Sequence, residues 1–366
     1  MQRRLGRRDF LRGTVGGAVF VGSGGILLAA CGGDDDDDAA TTTTAGESTG
    51  TTGGESAAAD LGTATIQFDW IKNAEFAGVY IADKEGYFTD EGFSGVELLA
   101  GGPNVADMPV VVSNNALLGI SVTEVTAGAI LEGADITVVG ALFQKNPFGI
   151  MSMADNPITS PQDMIGKTIG VQAVNDGLWD ALLRINDIDP SEINKIVADF
   201  DPTPLVNGEA DGWFSFITNE PNVLEAEGHE VATMALSDYG FSLYQQLLTT
   251  ATSNMTENRE AVVGAVRAIV KGWEHNSTDL EYGARLAVEE YGADLGLEME
   301  ASIAENEDQN ELVVTETTTE LGIGYMEESE LEATLQTLAD LGLDIPADVF
   351  TNEILDEIYA DGPSLL

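Results

Sequence analysis

Ala64-Thr65-Ile66-Gln67-Phe68-Asp69-Trp70-Ile71-Lys72-Asn73 is the stretch on which the reading of the fold turns. Ala64, Ile66, Phe68 and Trp70 alternate with Thr65, Gln67 and Asp69, the period-two pattern of a strand with one buried face. Phe76 to Gly86 then suits a helix, and Val96 to Leu99 a second strand. Short apolar runs recur at Ile136 to Val139 and at Thr168 to Gln172, with helix-like stretches between them. Strands alternating with helices predict an α/β architecture with mostly parallel sheets. Beyond about Thr252 the chain turns helical, with Val262, Val266, Ile269 or Val270, and Trp273 on one face. Ser329 to Glu332 has a capping-box pattern, and Leu331, Leu335 and Leu338 form a stripe that Gly342 ends. About 305 residues of folded chain exceed one ordinary core, which predicts two lobes.

The opening stretch runs on into Phe76-Ala77-Gly78, and after the first helix come Lys84-Glu85-Gly86-Tyr87-Phe88 and Glu91-Gly92-Phe93. Gly101-Gly102-Pro103 and Gly119-Ile120 follow, then the run from Ser160-Pro161-Gln162 through Gly166-Lys167-Thr168 to Val171. Asp211-Gly212-Trp213 and Thr218-Asn219-Glu220-Pro221 complete the series. In this order, over roughly Ile66 to Leu247, the motifs resemble the solute-binding proteins of ABC importers that capture thiamine pyrimidine precursors, hydroxymethylpyrimidine and formylaminopyrimidine. That group is related to the sulfonate, taurine and nitrate binders.

The resemblance implies a two-lobed, periplasmic-binding-protein-like α/β fold of type II, with the ligand in a cleft between lobes that close by a hinge. Residues 63–149 and 248–366 would form lobe one and residues 150–247 lobe two, with the C-terminal helices packed on lobe one. The implied ligand-binding residues are Trp70, Asn73, Phe76, Gly101, Gly102, Trp213, Asn219 and Glu220. Two positions depart from the family pattern: Lys72 replaces a proline, and Phe76 replaces the histidine of a His-Ala-Gly element.

Read by themselves, these residues leave alternatives open. Trp70 at the carboxyl end of a strand is placed to stack on a flat ring, or else belongs to the core. Trp213 and Phe214 lie in an apolar run and suit either a strand core or a ligand contact. Glu220, held by Pro221, offers acceptors to ring amino or N–H donors, or marks a structural turn. Trp179 and Trp273 read as helix-packing residues. Gly166-Lys167 lacks the preceding glycines of a phosphate loop and reads as a turn into a strand. His229 and His275 lack metal-ligand spacing and read as surface residues.

Outward from the folded part, the first 31 residues carry Arg7-Arg8-Asp9-Phe10-Leu11, an apolar segment from Gly13 to Ala30, and Leu28-Ala29-Ala30-Cys31. This pattern reads as a twin-arginine export signal over residues 1–30 with a lipobox, whose Cys31 would carry the lipid anchor. Cys31 is the single cysteine of the chain, so an intramolecular disulfide and a cysteine metal cage are excluded. Residues 31–62 include five consecutive aspartates and almost no large apolar side chain, the composition of a disordered acidic tether.

Beyond residue 30 the chain holds 62 acidic against 10 basic residues, for a net charge of −52. Nucleic acid and anionic lipid surfaces are poor partners for such a chain, and the acidic coat is the kind found in saline habitats. The resulting expectation is a lipid-anchored capture protein on the outer face of the cell membrane, without catalysis, cofactor or metal. It would deliver a small heteroaromatic solute to an ABC permease and its ATPase. A pyrimidine thiamine precursor is the first expected ligand, riboflavin or a sulfonate the alternatives, and a pyrimidine synthase-like enzyme the reading from another class.

Overall fold

Thr63–Phe68 forms strand β1 of a computed structural model that describes residues 60–366. The export signal, the lipobox with Cys31 and nearly all of the tether lie outside the described residues. Successive side chains of β1 point to opposite faces of the sheet, which sends Ala64, Ile66 and Phe68 into the core as their alternation predicts. The rest of the first sheet consists of β2 (Gly95–Leu99), β3 (Leu118–Ser121), β4 (Ile136–Phe143) and the late strand β10 (Gln245–Ala251). The second sheet consists of β5 (Phe148–Met153), β6 (Thr168–Gln172), β7 (Asn194–Ala198), β8 (Gly212–Phe216) and β9 (Val231–Ala235).

The strand orders are β2-β1-β3-β10-β4 and β7-β6-β8-β5-β9, so the two sheets repeat one plan. In each, a central strand pairs in parallel with both neighbours, β1 with β2 and β3, and β6 with β7 and β8. Each sheet also contains one strand antiparallel to both of its neighbours: β10 between β3 and β4, and β5 between β8 and β9. Four of the five strands in each sheet therefore run the same way, as the expectation of mostly parallel sheets has it, and one in each is reversed. β5 and β10 are the strands the chain lays down just after crossing between sheets. The chain therefore passes between lobes twice, after β4 and before β10.

The lobe-one cluster joins Ile66, Phe68 and Tyr80 to Val266, Ile269 and Trp273 of helix Arg259–Asn276, whose apolar face is the one the spacing predicts. In lobe two, Ile150, Ile169, Leu182 and Phe214 surround Trp179, which meets Phe214 edge-on with ring centroids 6.5 Å apart. Helix Glu328–Asp340 packs on a cluster that both sheets share, with Val138, Ala141 and Leu247 from the first and Ile150, Ile169 and Phe214 from the second. Its Leu338, with Leu341 beyond it, joins the cluster that holds Trp179, and the Arg184 guanidinium of lobe two donates to the Leu341 carbonyl. The start of this helix also differs from the capping-box reading: Glu327 is the cap, and its carboxylate accepts from the backbone N–H groups of Ser329 and Glu330. Among the described residues no helix is long and apolar enough to cross a membrane.

Candidate functional site

In open α/β sheets, ligands collect at the carboxyl ends of parallel strands, and both sheets here direct those ends toward one cavity of about 220 Å³. Asp69 and Trp70 follow β1, Asp107 lies on the connection after β2, and Val122 follows β3. From lobe two come Gln172 at the end of β6, Ser215 and Phe216 at the end of β8, and Asn219 and Glu220 just beyond. Phe148 meets Phe216 edge-on with centroids 4.5 Å apart, so the Trp70 indole, two phenyl rings and Val105, Val122, Val125 and Val174 supply the apolar part of the wall.

Acids dominate the polar part. Asp69, Glu75, Asp107 and Glu220 line the cavity, and among the described residues no lysine, arginine or histidine does. Gln246 Nε2 donates to the Asp69 carboxylate at 3.1 Å and to Glu75 Oε1 at 2.6 Å. Glu220 Oε2 accepts from the Phe216 backbone N–H at 3.1 Å, and Glu305, behind the wall, accepts from Asn73 Nδ2 at 2.7 Å.

Removal from water disfavours the charged form of each of these acids. Burial, and then the charge of Asp107, pushes Asp69 up to about 8; the residue opens to the cleft but is ringed by protein. Burial pushes Glu220 up to about 8 as well. Burial raises Glu75 further, reinforced by Asp69, Glu305 and Glu220, and raises Glu305, reinforced by Glu220. Asp107 is raised by burial. Ser215 Oγ is buried without a hydrogen-bond partner in the protein, and the Asp107 carboxyl has only the Ser121 hydroxyl beside it as a side-chain donor. The cleft thus presents acceptors and protonated acids to a flat solute and offers nothing that neutralises an anion.

Of the residues expected from sequence, Trp70, Asn219 and Glu220 share this wall. Phe76 does not: it is 1% exposed and stacks on Phe68 with centroids 3.9 Å apart, as a core residue. Trp213 is likewise 1% exposed, packed with Met151, Leu205 and Leu224 and covering Gly170, where an added Cβ would fall 2.4 Å from its ring. Asn73 lies behind the wall on Glu305. Gly101 and Gly102 support the site from outside it, their N–H groups donating to the Trp70 and Asp69 carbonyls at 2.9 and 3.1 Å. Only glycine fits at 101, because an added Cβ would fall 2.3 Å from the Asp69 backbone. The acids missed from sequence are Asp69, Glu75 and Asp107. Asp69 stood beside Trp70 in the motif already singled out, whereas Glu75 and Asp107 carry no local signal.

The chain matches the model of the family described as "NMT1/THI5 like" over residues 73–279. It is 26% identical over 221 residues to the formylaminopyrimidine-binding protein of Halalkalibacterium halodurans, an alignment covering 58% of this chain and 66% of that one. It is 22% identical to the riboflavin-binding protein RibY of Chloroflexus aurantiacus, covering 82% of this chain and 88% of that one. Among solved structures, the periplasmic aliphatic sulphonate binding protein SsuA of Escherichia coli superposes with a TM-score of 0.59 at 15% identity, over 78% of this chain and 92% of that one. The fold is that of the periplasmic binding proteins.

Proposed function

The chain belongs to the NMT1/THI5-like family, and from that premise we propose that it is the solute-capturing component of an ABC importer, specific for a small flat heteroaromatic compound. The observation that carries this reading is a cavity shared by the carboxyl ends of strands from both lobes, with the Trp70 indole contributed by one lobe and Asn219 and Glu220 by the other. Neither lobe alone holds a complete site, so binding is coupled to closure. A thiamine pyrimidine precursor is the first choice because its ring amino group suits acceptors beside an aromatic wall, and the formylaminopyrimidine-binding relative supports it. Riboflavin is the second choice, supported by the RibY relative. An alkanesulfonate ranks behind both, since the wall has no cation to receive the anion.

Titration calorimetry with 4-amino-5-hydroxymethyl-2-methylpyrimidine tests the site. Stacking contributes about 0.5–1.5 kcal/mol beyond burial of the rings, and burial of a large apolar group about 1.5–3 kcal/mol more. Trp70→Ala therefore weakens binding by roughly ten-fold or more, whereas Trp179→Phe, in the lobe-two core, leaves affinity near that of the unaltered protein. Equal affinities for the Trp70→Ala and unaltered proteins would remove the site from this cleft.

The proposed partners are a membrane permease and its ATPase, and the proposed location is the outer face of the cell membrane, held there by acylated Cys31. Two acyl chains on one cysteine anchor stably where one is marginal. Cys31→Ser is expected to move exported protein from the membrane to the soluble fraction. Undiminished membrane association of that variant would defeat the lipobox reading.

A further inference from the structure

The acidic wall of the cleft narrows the solute class, given the capture role proposed above. We propose that the cleft takes its solute as a flat organic cation of amidine type, with the positive charge delocalised over an N–C–N unit and received by the carboxyls of Asp69, Asp107 and Glu220 beside the Trp70 indole.

The charge arrangement is one-sided from every direction. Asp69, Glu75 and Asp107 line the cavity from lobe one and Glu220 lines it from lobe two. Helix Met299–Val313 adds Glu305 behind them, with Asp308 near it. The groups that bond these carboxyls are uncharged: the side-chain amides of Gln246 and Asn73, the Phe216 backbone N–H and the Ser121 hydroxyl beside Asp107. Among the described residues, the salt bridges of the basic side chains are made elsewhere, as in Lys84–Glu290, Lys195–Asp176 and Arg267–Glu91. Four carboxyls around one cavity, with no base among the described residues that line it, cannot ionise together without repelling one another, and a bound cation relieves that repulsion where an uncharged ring does not.

A second observation points to a donor-rich ligand. Ser215 Oγ is buried, belongs to a cavity-lining residue and has no partner in the protein, whereas the Asp107 carboxyl has the Ser121 hydroxyl beside it. Buried polar atoms are as a rule hydrogen-bonded, and an amidinium offers several N–H donors in one plane. Trp70 adds the aromatic face that best attracts a cation.

The sign of the pH dependence separates a cation from a neutral ring. Asp69 and Glu220, both pushed up to about 8, hold protons in the empty cleft at neutral pH. A cation displaces such a proton, so its affinity rises with pH up to about 8 and then levels, by as much as ten-fold per pH unit for each proton displaced. A neutral ring gains nothing from that ionisation.

Three probes of one shape make the test: benzamidine as cation, benzamide as its neutral isostere and benzoate as anion, titrated calorimetrically into the full chain. Benzamidine is expected to bind at least ten-fold tighter than benzamide at pH 8, to gain ten-fold or more between pH 6 and pH 8, and benzoate to give no binding. Glu220→Gln and Asp69→Asn, each checked for folding by circular dichroism, should each lower the benzamidine-to-benzamide ratio several-fold. Equal binding of the two probes, a flat or falling benzamidine profile, or no benzamidine binding at pH 8 overturns the proposal. If the uncharged 4-amino-5-hydroxymethyl-2-methylpyrimidine still binds in a Trp70-dependent way, the capture role stands and only the cation preference falls. If no ring compound binds at all, the capture role itself falls.

Discussion

Glu220→Gln is expected to stabilise the empty protein by a few kcal/mol at pH 8 and to leave its stability nearly unchanged at pH 4.5. Glu220 is 4% exposed, and burial pushes its carboxyl from an ordinary 4.5 up to about 8. Between those two values the folded chain holds a proton that the unfolded chain has released. A group of this kind stabilises the fold fully below about pH 4.5 and loses that contribution as pH rises through its folded value, so stability falls with pH over this window. Each pKa unit corresponds to about 1.4 kcal/mol. The shift therefore sets a ceiling of roughly 5 kcal/mol, from which local relaxation and water entry subtract. Glutamine has the same shape, carries no charge at either pH and keeps an oxygen to accept the Phe216 N–H that Glu220 now accepts at 3.1 Å. Denaturant midpoints of the two proteins at pH 4.5 and pH 8 measure the effect. Equal differences at both pH values would show that Glu220 keeps an ordinary carboxylate proton affinity in the fold. A gain in stability together with a loss of ligand affinity is the trade expected of a group kept for binding at the expense of the fold.

The other large effect lies away from the cleft, where helix Ala77–Lys84 crosses helix Arg259–Asn276 at a contact made by two glycines. Gly272→Ala is expected to destabilise the protein by about 2–4 kcal/mol. A Cβ at 272 would fall 2.0 Å from the Gly78 carbonyl oxygen and 2.9 Å from the Ala82 Cβ. The obstruction at Gly78 is backbone, which cannot rotate away, so the helices have to separate. Separation would also unseat Trp273, whose ring leaves no room at Gly78, where a Cβ would fall 2.4 Å from its Cγ. Overpacking of a filled core costs about 1–3 kcal/mol and occasionally more, and the usual gain from alanine in a helix offsets only about 0.5–1 kcal/mol of it. Gly128→Ala provides the control. Position 128 is inside helix Thr123–Leu131 with nothing within 4 Å of an added Cβ, so that variant should be stabilised by about 0.5–1 kcal/mol. Thermal melts of the two variants decide the matter, and a Gly272→Ala protein as stable as the unaltered one would contradict the packing account.

The amino-acid sequence by itself determined the elements whose signal is local. β1, β2 and β6 follow from alternation or short apolar runs, and helix Arg259–Asn276 from a stripe at helical spacing, because a side chain's face depends only on its own element's period. Trp70 was singled out by its place at a strand's carboxyl end, where ligands collect, and Asn219 and Glu220 by the resemblance of Thr218-Asn219-Glu220-Pro221 to a family signature; all three share the cavity wall. Aromatic character alone did not say which face a ring would take, and Phe76 and Trp213 went to the core: Phe68 stacks on the first, and Gly170 makes room for the second. Only the tertiary structure decided that β5 and β10 run antiparallel to their neighbours and that helix Glu328–Asp340 leans on a cluster shared by both sheets, since both depend on where the chain crosses between sheets. It alone decided the electrostatics of the cleft. Asp69, Glu75, Asp107, Glu220 and Glu305 come from distant parts of the chain, and each in isolation reads as one more acid of a strongly acidic protein. Their raised proton affinity arises from convergence in a water-poor space, a property of the distances between residues that no single residue's identity contains.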